Sequence, residues 1–280
     1  MPTPRVRVFA LTALAMLAFA GNSLLCRIAL DDTSIDPASF TAARLISAAL
    51  VLALIVRARA ASAAGGSWAS AVALFVYAAA FSFAYVSLSA ATGALLLFSA
   101  VQATMIGHRV WAGQRPKRLQ LCGIVLAFAG LIGLLLPGLE APPPVGAALM
   151  LAAGAAWGVY SLRGSAAADP VGVTAGNFLR AAPMSAALAA LLLSRAQWDF
   201  AGLSYAMLSG ALSSGLGYVV WYAALPALGA TRAATVQLSV PVIAALGGAL
   251  LLGESVGARY VMASTAILGG IALVIRERRA

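Results

Sequence analysis

Charge is what this sequence has least of. Only 9% of its 280 residues are Asp, Glu, Lys or Arg, against about 25% in an ordinary soluble domain. So few charges cannot cover the surface of a soluble protein of this length. Acids are scarcer than bases, with eight Asp and Glu against eighteen Lys and Arg, and Lys117 is the only lysine. His108 is the only histidine. An intramembrane enzyme would need a nucleophile–base pair or a set of metal ligands, and these absences argue against both. The two cysteines, Cys26 and Cys122, lie in apolar runs, where they read as small buried hydrophobes rather than a disulfide. The net charge of +10 does not indicate nucleic acid. The basic residues sit at the ends of apolar runs, where topology signals belong.

What the sequence does have is apolar length. Hydrophobic residues make up 62% of it, and mean hydropathy is +0.97. Breaks in hydrophobicity predict ten spans, near 8–30, 38–56, 67–87, 92–110, 119–136, 145–162, 171–193, 201–223, 230–252 and 259–275. The runs are continuous, so they read as helices and not as the alternating segments of a barrel. Pro37, Pro116, Pro137, Pro142, Pro143, Pro144 and Pro170 fall between spans, while Pro183 and Pro241 fall inside them. Arg5, Arg7 and Ala18-Phe19-Ala20 resemble a cleavable leader. The apolar run continues to Leu30, which reads as an uncleaved first helix. Placing both termini in the cytoplasm puts Arg57, Arg59, Arg109, Arg115, Lys117, Arg118, Arg163, Arg276, Arg278 and Arg279 on that side. Asp31, Asp32, Asp36, Glu140, Asp199 and Glu254 then fall on the other, with Arg195 and Arg259 at its loop edges, a bias of the kind the positive-inside rule expects.

The two halves align. Asp36-Pro37 and Thr41 correspond to Asp169-Pro170 and Thr174, Arg27 to Arg163, Ala91-Thr92 to Ala230-Thr231, Gly113-Gln114 to Gly253-Glu254, and Gly130 to Gly270. Five spans per half is an odd number, so the second half, 138–280, would enter the membrane from the side opposite to the first, 1–137. Charge agrees. The loop from Gly113 to Arg118 is strongly basic, and its partner from Gly253 to Ala258 has no basic residue. Inverted repeats are a mark of secondary transporters, with substrate bound near the midplane at the repeat interface.

Five plus five spans with these signatures resemble the EamA-type exporters of the drug/metabolite transporter superfamily. Trp157-Gly158, Pro241 and Gly253-Glu254 carry the resemblance, while Ala20-Gly21, Gln102 and Gln114 depart from the family pattern. Size and mid-span aromatics look most similar to the bacterial aromatic amino acid exporters (YddG type). The resemblance implies an all-α membrane protein of ten transmembrane helices, two inverted five-helix repeats around a central cavity. Spans one, three, four, six, eight and nine would line it.

Several residues on those spans could carry transport. Tyr77, Phe81 and Tyr85 recur at i, i+4 and i+8, which predicts one aromatic face that either packs or lines a cavity. Trp157 and Tyr160 lie three apart, and Tyr218, Trp221 and Tyr222 follow on span eight. Trp68, Trp111 and Trp198 stand at span ends and read as interfacial belt. Asn22, Gln102 and Gln237 are deep polar groups that bond between helices or face a wet cavity. Ser82 reads as an interhelical bond. Pro241 is a candidate hinge, and Gly210, Ser213, Ser214 and Gly217 a surface for close packing. Arg44 and Arg180, inside spans, either snorkel, pair with an acid or touch a substrate carboxylate. His108 reads as a solvated span end.

No acid lies deep in a span, so the usual proton-coupling carboxylate is missing. The sequence therefore predicts a secondary transporter, not an enzyme, with no cofactor and no metal. It would export aromatic or other neutral amino acids across the bacterial inner membrane. A broad drug/metabolite exporter is the alternative.

Overall fold

The computed structural model describes residues 4–59, 65–113, 115–138, 141–164 and 167–276, without the side chains of 4, 229–231 and 276. Gln114, Glu140, Arg278 and Arg279 lie outside the described residues, as do the side chains of Ala230, Thr231 and Arg276. Every regular element among the described residues is helical. They are α1 (Pro4–Asp32), α2 (Pro37–Ala58), α3 (Trp68–Tyr85), α4 (Ala90–Trp111), α5 (Arg118–Leu135), α6 (Pro144–Gly164), α7 (Pro170–Leu191), a 3-10 turn (Leu193–Arg195), α8 (Phe200–Leu208), a π-helical stretch (Ser209–Leu216), α9 (Gly217–Gln237), α10 (Ser239–Leu251) and α11 (Ala258–Arg276). Among the described residues, nine stretches are long and apolar enough to cross a membrane. α7 has the length, 22 residues, but carries Thr174, Asn177 and Arg180 and is not counted with them. The chain is a multi-pass membrane protein.

Helix starts follow local chemistry. Asp36 accepts from the backbone N–H groups of Ala38 and Ser39, at 2.9 and 3.0 Å. Asp169 accepts from that of Gly172 at 3.1 Å. Pro37 and Pro170 follow these caps at the first helical position, where no N–H is needed. One boundary differs from expectation. The loop expected at 224–229 is helical backbone, and α9 runs on to Gln237. This segment is rich in alanine, the best helix former, and Pro226 is accommodated within it. The helix ends where Pro241, lacking an N–H, cannot bond the carbonyl of Gln237. Pro241 therefore sits in the first turn of α10, not deep inside a helix.

Pairings recur between the halves. α2 packs on α7 and α5 on α11. α3 packs on α6 while the α8–π–α9 stretch packs on α1, and α4 packs on α6 while α10 packs on α1. Small residues allow the closest of these approaches. A Cβ on Gly270 would strike the Gly123 carbonyl and the Ala127 backbone, whereas one on Gly269 would meet nothing. Outside, Val125, Phe128 and Ile132 on α5 and Met262 on α11 are exposed apolar groups for lipid. Trp68, Trp111 and Trp198 are also exposed, at helix ends. Cys26 is buried as expected, but Cys122 is exposed because it faces outward from α5. Ser82 donates to the Ala78 carbonyl of its own helix at 2.9 Å and also meets the Cys26 side chain of α1. His108 is exposed at the end of α4.

Two loops are tied at one end of the bundle. Asp36 accepts from the Gln197 N–H at 3.0 Å, and Asp199 from the Ser34 N–H at 3.3 Å. Burial pushes the Asp36 carboxyl up, but hydrogen bonds from Ser39, Gln197 and Ala38 outweigh it and hold the group below its ordinary value. The Ala201 N–H, first among several donors, does the same for Asp199. A carboxyl depressed in the folded state contributes stability above its unfolded pKa and loses it as pH falls through the folded value.

Two outcomes follow. Gly270→Ala should destabilise the protein by about 2 kcal/mol, while Gly269→Ala should be neutral or stabilising by up to about 1 kcal/mol; thermal midpoints in detergent check both. The midpoint should also fall as pH drops below about 5, and Asp36→Asn, which keeps a cap without the titration, should flatten that fall.

Candidate functional site

A cavity of about 460 Å³ lies between α1, α3, α4, α6, the π-helical stretch and α9. It reaches the helix ends marked by Arg109, Gly164 and Ile275. Of the residues singled out in the sequence, Asn22, Tyr77, Phe81, Gln102, Trp157, Tyr160, Trp221 and Gln237 line it. Tyr85 is not among its lining residues. An i+8 residue is rotated by about 80° from residue i on a 3.6-residue helix, and Tyr85 turns away into the closed end. It is 0% exposed, its ring lies edge-on to Phe81 at 4.7 Å, and its hydroxyl donates to the Ala90 carbonyl at 3.4 Å.

The upper wall is a set of rings. Trp157 stacks on Tyr218 at 5.3 Å and 15°, and on Tyr160 at 5.2 Å and 24°. Tyr77 leans on Trp157 at 4.9 Å, and Phe19 meets Trp221 edge-on at 5.9 Å. Tyr160 accepts from Asn177 Nδ2 at 3.4 Å, and Tyr222 accepts from Thr174 at 3.3 Å. No Asp or Glu is among the lining residues.

The floor is polar and joins both halves of the chain. Tyr77 Oη accepts from Asn22 Nδ2 at 3.2 Å and from Arg44 Nη2 at 3.0 Å. Asn22 Oδ1 accepts from Ser209 at 2.7 Å, and Ser214 Oγ accepts from Arg44 Nε at 3.4 Å. The π-helical turn makes this reach possible. A Cβ on Gly210 would strike the Arg44 carbonyl and Ser47 Oγ, so glycine lets that turn lie against α2. Snorkelling or acid pairing, expected of Arg44, is overturned. The side chain is 1% exposed and points between rings, with its guanidinium 4.9 Å from the Phe81 centroid. Arg180 instead donates to the backbone carbonyls of Gly65 and Gly176, at 2.9 and 2.8 Å. The sequence reading also passed over Phe19 and the cavity-facing role of Ser213 and Ser214, for which the glycine–serine run was the signal.

The end opposite the opening is closed. Glu254 accepts from the Ala90 N–H with both oxygens, at 3.0 and 2.9 Å. Arg27 pairs with Glu254 at 3.3 Å and Asp31 at 2.8 Å, and donates to the Tyr85 carbonyl at 3.1 Å. The latch therefore links α1, α3 and the start of α4 to the loop after α10. Pro241 lies apart from the cavity wall, its carbonyl accepting from Tyr260 at 3.5 Å.

A helix bundle around an acid-free aromatic cavity suits a carrier of small molecules, and comparison with known proteins decides which. The profile of the EamA-like transporter family matches residues 7–136 and again residues 144–276. This chain belongs to that family. It is similar to an uncharacterized protein of Pseudomonas aeruginosa, 58% identical over 98% of this chain and 96% of the relative. It is similar also to the threonine/homoserine exporter RhtA of Escherichia coli, 30% identical over 60% of this chain and 59% of the relative. A solved crystal structure matches the fold at a TM-score of 0.66 and 17% identity, over 97% of this chain and 99% of that one. EamA family membership makes the protein a membrane transporter of small molecules.

Cys26, 0% exposed and next to Arg27, reports on the latch. In a Cys122→Ser background, Glu254→Ala should raise maleimide labelling of Cys26 several-fold. Unchanged labelling would mean that apolar packing around Tyr85 closes this end unaided.

Proposed function

We propose that this protein exports neutral amino acids, aromatic ones included, from the cytoplasm by alternating access. The observation that carries the reading is the cavity: rings from α1, α3, α6 and α9, the uncharged side chains of Asn22, Tyr77 and Ser214 facing it over the floor, and no acid among its described lining residues. Such a lining favours neutral, amphipathic solutes. The threonine/homoserine exporters to which the chain is similar support amino acids as the class. Without a buried carboxylate to bind proton and substrate in turn, flux runs downhill and is not driven by protons.

The same reading takes 1–137 and 138–280 as repeats of opposite orientation in the bacterial inner membrane, with both termini cytoplasmic. Support comes from the basic loop at Arg115, Lys117 and Arg118 against the loop at Glu254, and from helix pairings that exchange between halves. The cavity then faces the cytoplasm, with the Arg27–Glu254 latch at the outer end. Pro241, beside the break between α9 and α10, is the proposed hinge.

Counterflow of labelled phenylalanine, tryptophan and threonine into proteoliposomes tests this. Uptake of at least one is expected, and collapsing a proton gradient should leave it intact. Trp157→Ala should cut it about tenfold or more with little loss of folded protein. Flux for other metabolites but for no amino acid would favour a broad drug/metabolite exporter.

A further inference from the structure

The cavity floor holds a charge that no acid among the described residues balances. Arg44 is among the largest fully buried side chains. Among the described residues the ion pairs are Arg27–Asp31 and Arg27–Glu254, and neither involves Arg44. Its Nη1 is buried with no hydrogen-bond partner. Two ring faces also lie against it, Tyr77 at 5.3 Å and Phe81 at 4.9 Å. Rings attract a cation but do not neutralise it. A desolvated guanidinium without a counter-ion is costly, and this one is separated from the cavity only by the groups it binds.

Those groups are arranged as donors. Tyr77 Oη accepts from both Arg44 and Asn22, so its own proton is left to give away. Ser214 Oγ accepts from Arg44, which leaves its proton free as well. Both residues line the cavity. Two hydroxyl donors backed by one unbalanced cation match an acceptor with two oxygens and a negative charge. A cation at the floor would instead meet like charge.

We propose that Arg44, Tyr77 and Ser214 form a carboxylate subsite at the floor of the cavity. The carboxylate accepts from the two hydroxyls while the guanidinium behind them supplies the counter-charge. For a zwitterionic substrate the ammonium group then lies toward the Tyr218–Trp157–Tyr160 stack, where ring faces take the place of an acid. This deepens the amino acid reading and rests on it only for the identity of the substrate.

The probe pair is phenylacetate and phenylacetamide, equal in shape and differing in charge, with binding to purified protein followed by intrinsic tryptophan fluorescence. Wild type should bind phenylacetate about tenfold or more tighter than the amide. Arg44→Gln should bring the two within about twofold, and Arg44→Lys should keep an intermediate preference. Tyr77→Phe, which keeps the ring, should lower the preference several-fold, so the proposal stays testable should the Arg44 variants fail to fold. Equal binding of both probes to wild type, no binding of phenylacetate, or an undiminished preference in Arg44→Gln or Tyr77→Phe would overturn it. Arg44-dependent phenylacetate binding without amino acid flux would keep the subsite and overturn the exporter reading. Amino acid flux with no carboxylate preference would do the reverse.

Discussion

Hydrocarbon offers no hydrogen-bond partner, and most of this structure answers to that constraint. Backbone groups satisfy one another within helices. Hydroxyls also turn back on their own helix, as Ser82 does toward the Ala78 carbonyl. Polar groups that can reach across are collected at one place, where Asn22, Tyr77, Ser209, Ser214 and Arg44 bind one another at the cavity floor. The floor joins α1, α2 and α3 to the π-helical stretch, so the first half of the chain is tied to the second by polar contacts at the bundle's centre. Tight glycine contacts at Gly123, Gly210 and Gly270 supply close packing where lipid gives no hydrophobic drive for helices to associate.

The two ends of the bundle are chemically unlike, although the halves correspond. Arg27 finds Glu254 and the Tyr85 carbonyl. Among the described residues, its counterpart Arg163 donates to the hydroxyls of Ser70 and Ser67, at 3.1 and 3.3 Å. The counterpart of Glu254 in the sequence is Gln114, which carries no charge. An ion pair and a carboxylate on the α4 N-terminus therefore hold one end shut, and equivalent residues at the other end lack that chemistry. Under the proposed inverted relation, this difference biases the resting protein toward the state open to the cytoplasm.

Much of the site was legible because a polar or large aromatic side chain deep in an apolar run must have a reason to be there. Asn22, Gln102, Gln237, Tyr77 and Trp157 stand out on that ground and do line the cavity. Tyr85 misled because helical periodicity drifts: a residue two turns on has rotated off the face, and the closed end begins there. Arg44 misled because the usual remedies for a buried arginine, snorkelling and acid pairing, are local. Its actual partners, Tyr77 and Ser214, lie 33 and 170 residues away.

The sequence by itself determined that the chain is helical, membrane-embedded and built from two similar halves, since apolar run length and loop charge are local properties. Only the tertiary structure decided which polar groups meet, which end is closed and that Arg44 lies unbalanced behind the cavity floor. Those outcomes depend on distances between helices far apart in the chain, and on a π-helical turn whose glycine lets the backbone press against α2. No periodicity within a single span encodes either.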